Sequence, residues 1–463
     1  MKKTFACLMI LFLFACRHAP VHEPLLGTRA MPGPAQPAPA APRAPLVDLT
    51  ALAGRRICLD PGHGGPWAGA IAPANGLRES DINLQVALRA RDLLEAQRAS
   101  VILTRTGDYA LHPDSMAQDL TARAAMAAQH RADLFVSIHH NADIEPGSQK
   151  NDIEVYYKFR DAGPSLDLAQ CLLFALARHL PQEDEAVPRL LPGNYRVLRL
   201  ADVPSVLLES SYVTCDASAA YLATDNGIDT EARAIVEGLA CYAALDPPKT
   251  DSVRVEVADD GLACRVAADF SRGLPLDYTT VDVILDGKRT PGRHWPTSRG
   301  FTWMFCDPLG NGSHTACLTV RNTHGAAARS AVPIHIARPP RRISIEQRPP
   351  QVARDSGIEI LFEIRVLDAI DQPVADGTEV QLVETGQTVG TVGGCARFYL
   401  AEANAPDVLT FQAGDVVGET LLKHGPARHR TVRCRDARTG RPIGHAAATA
   451  LDQTIIASPE GWF

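Results

Sequence analysis

From Ile57 to Gly65 the chain reads Ile-Cys-Leu-Asp-Pro-Gly-His-Gly-Gly, an apolar strand that stops at a glycine-rich turn displaying one histidine. Ile57 and Leu59 supply the strand character, and Pro61 and Gly62 end it. Gly64 and Gly65 let the backbone bend closely around whatever His63 holds. A strand that hands a polar side chain to a turn at its carboxyl end constrains the chain toward an open α/β sheet, where ligands gather beyond the strand ends. Taken alone, such a histidine more often bonds its own loop than a metal.

Three later segments each place an acid–base or zinc-type residue at the edge of an apolar run. Glu79 opens a helix-like stretch to Leu94, with Ile82, Val86, Leu93 and Leu94 on one stripe. The run from Ala132 to Ala142 reads as a second buried strand ending on His139 and His140, and Val203 to Ser211 as a third carrying Glu209 at its carboxyl end. These residues converge if the strands share a sheet. Two histidines and one carboxylate make a catalytic zinc set with one coordination position open for water. A second glutamate then stays free to move protons between that water and a leaving amine.

Residues from about 54 to 244 resemble the catalytic domain of zinc-dependent N-acetylmuramoyl-L-alanine amidases. Asp60 to Gly65 followed by Gly69 and Ala70 is similar to the family's first zinc motif, and Glu79 with Asn83 and Leu84 to its second. Thr104, Arg105 and Asp108, then Leu120 and Arg123, then Ala132 and Asp133 leading into Ser137 to Ala142, follow in the family's order. Val197 to Arg199, Pro204 to Glu209, and Leu239 to Tyr242 complete it. The resemblance implies that His63, Glu79 and His139 bind zinc and that Glu209 is the catalytic glutamate. His140 stands where the family usually has a small residue, and with Asn141, Arg105 and Tyr212 it is expected near the substrate groove. Arg105 and Arg123 also suit structural ion pairs or caps.

The chain departs from the family after Glu209, where Ser210, Ser211, Tyr212 and Cys215 replace a glycine, phenylalanine and asparagine pattern, and at Trp67, where aspartate is common. These changes touch the groove and not the metal set. Only Asp143 to Asp152 separates the His-Asn-Ala segment from the strand-like run Ile153 to Tyr157, an ordinary loop length with no room for the covering helix of some relatives. The groove is therefore expected to be uncovered.

Residues 1–15 carry two lysines and then a short apolar core, the form of a secretory leader too short to span a membrane. Leu13 to Cys16 resembles a bacterial lipobox, which implies lipid on Cys16. Arg17, in place of aspartate, points to the inner face of the outer membrane and a periplasmic enzyme. Residues 16–47 are rich in proline and alanine and read as a tether. Removing residues 1–15 takes two of the 46 Lys and Arg and none of the 53 Asp and Glu, so the formal charge moves from −7 to −9. That balance argues against nucleic-acid binding.

The catalytic domain is expected over 48–247, after which helical periodicity gives way to short alternating runs. Val253 to Val257 and Val281 to Leu285, with turns at Asp260-Gly261, Asp286-Gly287 and Asn311-Gly312, predict a β-sandwich over 250–338. A second, immunoglobulin-like β module is expected over 339–424, with strands at Ile358 to Val366 and near Val380 and Phe398. Residues 425–463 resemble part of a carboxypeptidase-regulatory-like β domain. Such modules space the enzyme or bind glycan, a surface partner or a protein activator. Of 11 cysteines, nine remain once Cys7 and Cys16 are set aside, so at least one thiol is free. A bridge among Cys264, Cys306 and Cys317 is allowed, whereas Cys58 and Cys241 read as core.

The expectation is thus an α/β catalytic domain, a twisted mixed sheet flanked by helices, followed by all-β sandwich modules. Its expected substrate is peptidoglycan, cut between N-acetylmuramic acid and the first L-alanine. The alternatives are a catalytically silent peptidoglycan-binding lipoprotein and a zinc peptidase acting within the stem peptide.

Overall fold

The computed structural model describes residues 47–423 except 146, 182–186, 272, 352–356 and 403–404, together with 447–450 and 453–456. The expected leader, Cys16, nearly all of the tether and most of the last β unit lie outside the described residues. Among the described residues, no helix is long and apolar enough to cross a membrane.

The catalytic region alternates strands and helices: β1 (Arg56–Pro61), α1 (Glu79–Ala96), β2 (Ser100–Leu103), α2 (Met116–Gln129), β3 (Leu134–Asn141), β4 (Glu154–Lys158), α3 (Pro164–His179), β5 (Arg189–Gly193), α4 (Arg196–Leu200), β6 (Ser205–Tyr212), α5 (Asp216–Leu222) and α6 (Asp225–Ala244). The six strands form one mixed sheet in the order β2-β1-β3-β6-β4-β5. Every neighbouring pair is parallel except β4 with β6. Strand alternation sorts the side chains onto two faces. Ile57, Leu59, Val136, Ile138, Val155, Val206 and Leu208 pack under α1, α3 and α6 in the main core. Cys58, Phe135 and Leu207 point the other way, onto Ala127 of α2 and Val197 and Leu198 of α4. The helix predicted from Glu79 forms as read, burying Ile82, Val86 and Leu94.

The reversal of β4 has a consequence for the site. Because β4 runs against β6, its amino-terminal residue lies at the same edge as the carboxyl ends of β3 and β6.

Two β-sandwiches follow. The first is built from β7 (Lys249–Val257), β8 (Cys264–Ser271), β9 (Leu276–Leu285), β10 (Lys288–Arg289), β11 (Gly292–Pro296), β12 (Gly300–Phe305), β13 (Gly312–Asn322) and β14 (Ala327–Ile336). Its sheets, β10-β9-β13-β14 and β11-β12-β8-β7, enclose Val266, Phe301, Trp303, Leu318 and Val320. Asp286 and Gly287, both at positive φ (50° and 81°), make the β9–β10 hairpin turn as expected of an Asp-Gly pair. Asn311-Gly312, by contrast, leads into β13 from a longer connection and closes no tight hairpin.

The second sandwich pairs β15 (Arg342–Arg348), β16 (Glu359–Leu367) and β19 (Cys395–Ala401) against β17 (Glu379–Leu382), β18 (Gln387–Gly390), β20 (Val408–Ala413) and β21 (Val416–Leu421). Phe362, Phe398 and Phe411 fill its centre. A hairpin of β22 (Ala447–Ala450) and β23 (Gln453–Ile456) is described beyond it. Cys264, Cys306 and Cys317 are free thiols, as are the other five described cysteines, so the bridge allowed among those three is not formed.

Candidate metal centre and active site

The turn after β1 is held from beneath by two buried guanidinium groups. Arg105 donates to the carbonyls of Pro61 (2.8 Å), Gly62 (2.8 Å), Gly107 (3.0 Å) and Ser80 (2.7 Å), tying the histidine turn to the start of α1. Arg123 donates to the carbonyls of Pro61 (2.9 Å) and His63 (2.7 Å) and pairs with Asp60 (3.0 Å) and Asp119 (2.6 Å). Asp60 also accepts from Thr104 (2.5 Å) and Ser137 (2.7 Å). Burial works to raise the Asp60 carboxyl, but Arg123 and the two hydroxyls outweigh it and hold it below the usual range. So restrained, His63 sits at φ 63°, a left-handed conformation rare for a residue with a side chain.

That conformation aims His63 at Glu79 and His139. Its Nε2 lies 3.1 Å from Glu79 Oε1, and His139 Nδ1 lies 3.0 Å from the same oxygen. One donor atom from each of the three residues falls within 4.8 Å of the others. Two imidazole nitrogens and a carboxylate oxygen at that spacing can share one metal ion. Burial tends to raise the Glu79 carboxyl, yet the two facing rings dominate and hold it well below the usual range.

Two glycines keep the space around this set clear. A Cβ on Gly62 would stand 2.2 Å from the His139 ring, and one on Gly69 would stand 2.4 Å from Glu79 Oε2. The motif glycines thus serve close approach as well as turning.

Glu209 stands beside the set. On β6 it is in register with His139 of β3 on one side and Glu154 of β4 on the other, so the three side chains share one face in a row. Its Oε2 is buried and has no hydrogen-bond partner among the described residues. Burial, and then the negative charges of Glu79 and Glu154, push its carboxyl well above the usual range. A carboxyl group with one buried oxygen unpartnered and its proton affinity raised is suited to acid–base work.

The expected groove residues fare differently. Arg105 is buried and fully committed to backbone carbonyls, so it grips the turn and does not line the groove. His140 points to the opposite face of the sheet from His139. Its ring is wholly buried against Asn83 (2.8 Å) and Glu231 (2.9 Å), out of reach of a substrate in the groove. Asn141 and the buried Tyr212 both turn to Glu154, donating at 3.4 Å and 3.1 Å.

Glu154 is the residue that the sequence reading missed. It also accepts from Tyr156 (2.6 Å) and pairs with Arg189. The alternation of Ile153 to Tyr157 put Glu154 and Tyr156 on one face, but the antiparallel direction that brings Glu154 to the active edge is a tertiary feature. Residues 143–153, of which 146 is not described, include no helix among the described residues, and the His63 side chain keeps 29% of its surface exposed.

Comparison with known proteins identifies a family for the catalytic region. The model of the N-acetylmuramoyl-L-alanine amidase family matches residues 57–241. The chain is 34% identical over 192 residues to the N-acetylmuramoyl-L-alanine amidase LytC of Bacillus subtilis, covering 41% of this chain but only 36% of that protein. To the germination-specific N-acetylmuramoyl-L-alanine amidase of the same organism it is 32% identical over 207 residues, covering 43% of this chain and 84% of that one. Among solved structures, the CwlD amidase of Clostridioides difficile, determined in complex with the GerS lipoprotein, aligns with 42% of this chain and 100% of its own at 28% identity and a TM-score of 0.39.

Proposed function

This chain belongs to the N-acetylmuramoyl-L-alanine amidase family, and we propose that it hydrolyses the amide between the lactyl group of N-acetylmuramic acid and the first L-alanine of the peptidoglycan stem peptide. The observation that carries the reading is the row of His139 and Glu209 in register beside His63 and Glu79, a metal-type donor set next to a half-buried carboxylate whose buried Oε2 has no hydrogen-bond partner among the described residues. Zinc held by His63, Glu79 and His139 would polarise the scissile carbonyl and acidify water. Glu209 takes a proton from the attacking water on Oε2 and returns it to the departing L-alanine nitrogen. Glu154 keeps its charge fixed beside Glu209 through Tyr156, Tyr212, Asn141 and Arg189. Asp60, Arg105 and Arg123 hold the turn so that His63 needs no rearrangement to meet its partners.

The test is digestion of purified peptidoglycan with and without a zinc chelator, followed by mass spectrometry of the soluble products. Intact stem peptides with a free L-alanine amine, released only without chelator, are expected. Fragments cut within the stem would make the enzyme a peptidase. No release from zinc-loaded protein would leave a silent wall-binding protein or one that waits for an activator. The leader-like start extends the proposal to a periplasmic lipoprotein carrying lipid on Cys16. Radiolabelled fatty acid should enter the wild type but not the Cys16→Ser variant.

A further inference from the structure

On the otherwise apolar face of the catalytic sheet, His140 and Glu231 meet with both side chains fully buried, Nε2 to Oε2 at 2.9 Å. A buried ion pair is seldom worth more to stability than apolar side chains of the same volume. Packing alone therefore gives no reason for it.

The neighbouring bonds supply one. Asn83, one turn after Glu79 on α1, directs its Nδ2 to Gly62 O (3.2 Å) and Glu79 Oε1 (3.3 Å). Its Oδ1 must then be an acceptor, and the donor facing it is His140 Nδ1 at 2.8 Å. That bond puts a proton on His140 Nδ1 and leaves Nε2 to Glu231. The backbone N–H of His140 also reaches Glu79 Oε1, at 3.3 Å. A continuous line of contacts thus runs from α6 through His140 and Asn83 to the carboxylate shared by His63 and His139. Among the described residues Glu231 Oε1 has no hydrogen-bond partner, and Glu231 lines a cavity of about 130 Å³ with Asn151, Ser211 and Tyr221, so the acid is not walled in by hydrocarbon alone.

We infer that Glu231 and His140 are positioning residues for the metal centre: they lock the orientation of the Asn83 amide, which holds Glu79 Oε1 toward His63 and His139. The inference rests on the zinc reading above. Without the His140 ring, Asn83 Oδ1 loses its donor, and the amide is free to rotate away from Glu79. Outer partners of this kind usually change metal affinity by about 10–100-fold.

The experiment measures zinc affinity of the full chain by competition with a chromophoric chelator, alongside thermal melting of the zinc-free protein. The paired replacement of His140→Ala with Glu231→Leu removes both charges together. It is expected to melt near the wild type when zinc-free and to bind zinc about 10–100-fold more weakly. Glu231→Gln, which keeps an acceptor for His140, should recover most of that loss. Asn83→Ser should weaken zinc to the same extent, and adding it to the paired replacement should weaken zinc no further, because both act along one line. A folded paired variant that binds zinc as the wild type does would overturn the inference, as would losses that simply add. If the paired variant does not fold, Glu231→Gln and Asn83→Ser decide: unchanged zinc affinity in Asn83→Ser overturns it. Wild-type protein that binds no zinc would bring down the metal reading itself, an outcome separate from either.

Discussion

Buried charge is put to different uses in the catalytic domain and in the β modules. In the first, Asp60, Glu79, Asn83, Arg105, Asp119, Arg123, His140, Glu154 and Glu231 are all buried, and the bonds among them run to the histidine turn, Glu79 or the row containing Glu209. In the modules the buried polar residues Asn322, Arg338 and Asp368 lie at joints. Asn322 donates to the carbonyls of Leu245 and Asp246, at the end of α6, at 2.8 Å each. Arg338 pairs with Asp368 at 2.5 Å, their side chains 1% and 0% exposed, and donates to the carbonyls of Gly261 and Leu309. That cluster ties the first sandwich to the second. Burying charge is costly wherever it occurs. Around the site it fixes the direction of reacting groups, and at the joints it fixes one body against the next.

The comparison breaks most sharply at Glu209. Glu209→Gln should lower turnover by about 100- to 10,000-fold while zinc content and melting temperature stay near the wild type, since general acid–base catalysis is worth that much. Metal analysis with peptide release checks it, and an active variant would remove Glu209 from the chemistry. Asp60→Ala should act through the fold instead. It takes one of two buried carboxylates from Arg123, leaving Asp119, and strips the Thr104 and Ser137 hydroxyls of their acceptor, and is expected to cost about 3–5 kcal/mol by chemical denaturation. A loss below about 1 kcal/mol would mean that Asp119 and the backbone carbonyls together satisfy that guanidinium.

How much of this could be read from the chain depends on the distance over which each constraint acts. His63, Glu79, His139 and Glu209 were legible because each ends or opens an apolar run, and the sheet gathers such ends at one edge. The burial of His140 was legible too, although the reading placed it in the groove. Val136, Ile138 and His140 share a parity, so a core that takes the first two takes the third. Glu231 gave a comparable signal, an acid on the α6 stripe of Ile228, Ala232, Ile235 and Leu239. Glu154 could not be placed, because whether β4 runs with or against β6 depends on how the chain crosses over. The joints were hidden for a related reason: Arg338 and Asp368 are partners only once two sandwiches have formed.

At the joint between sandwiches the expected effect is similar for one residue and small for two. Arg338→Met leaves Asp368 buried without its cation and should cost the modules about 3–5 kcal/mol, whereas Arg338→Met with Asp368→Leu should come close to neutral. Peptide release by the catalytic domain should be unchanged in both. The Asp368 carboxyl gives the same joint a pH limit. Burial tends to raise it, but Arg338 and the amides of Gln372 and Ile370 hold it below the usual range. An acid lowered in the fold stabilises above its unfolded value, about 3.9, and loses that contribution as pH falls through its lower folded value. Proteolysis between the modules should therefore stay slow at pH 5 and quicken only in stronger acid.

The smallest effect belongs to the joint between the catalytic domain and the first sandwich. There Arg321 of β13 grips Asp167 of α3 at 2.9 Å and 3.0 Å, and the amide of Ala327 gives Asp167 a further bond at 2.8 Å. Arg321 is about a third exposed, so water replaces much of what it supplies, and Arg321→Ala should cost no more than about 1 kcal/mol. Asn322, buried beside it, retains two carbonyl bonds to the end of α6 and should keep the domains together. If Arg321→Ala instead separates the domains in solution scattering, that joint depends on a half-buried pair. The contrast between buried charge at the site and buried charge at the joints would then hold only for the pair of sandwiches.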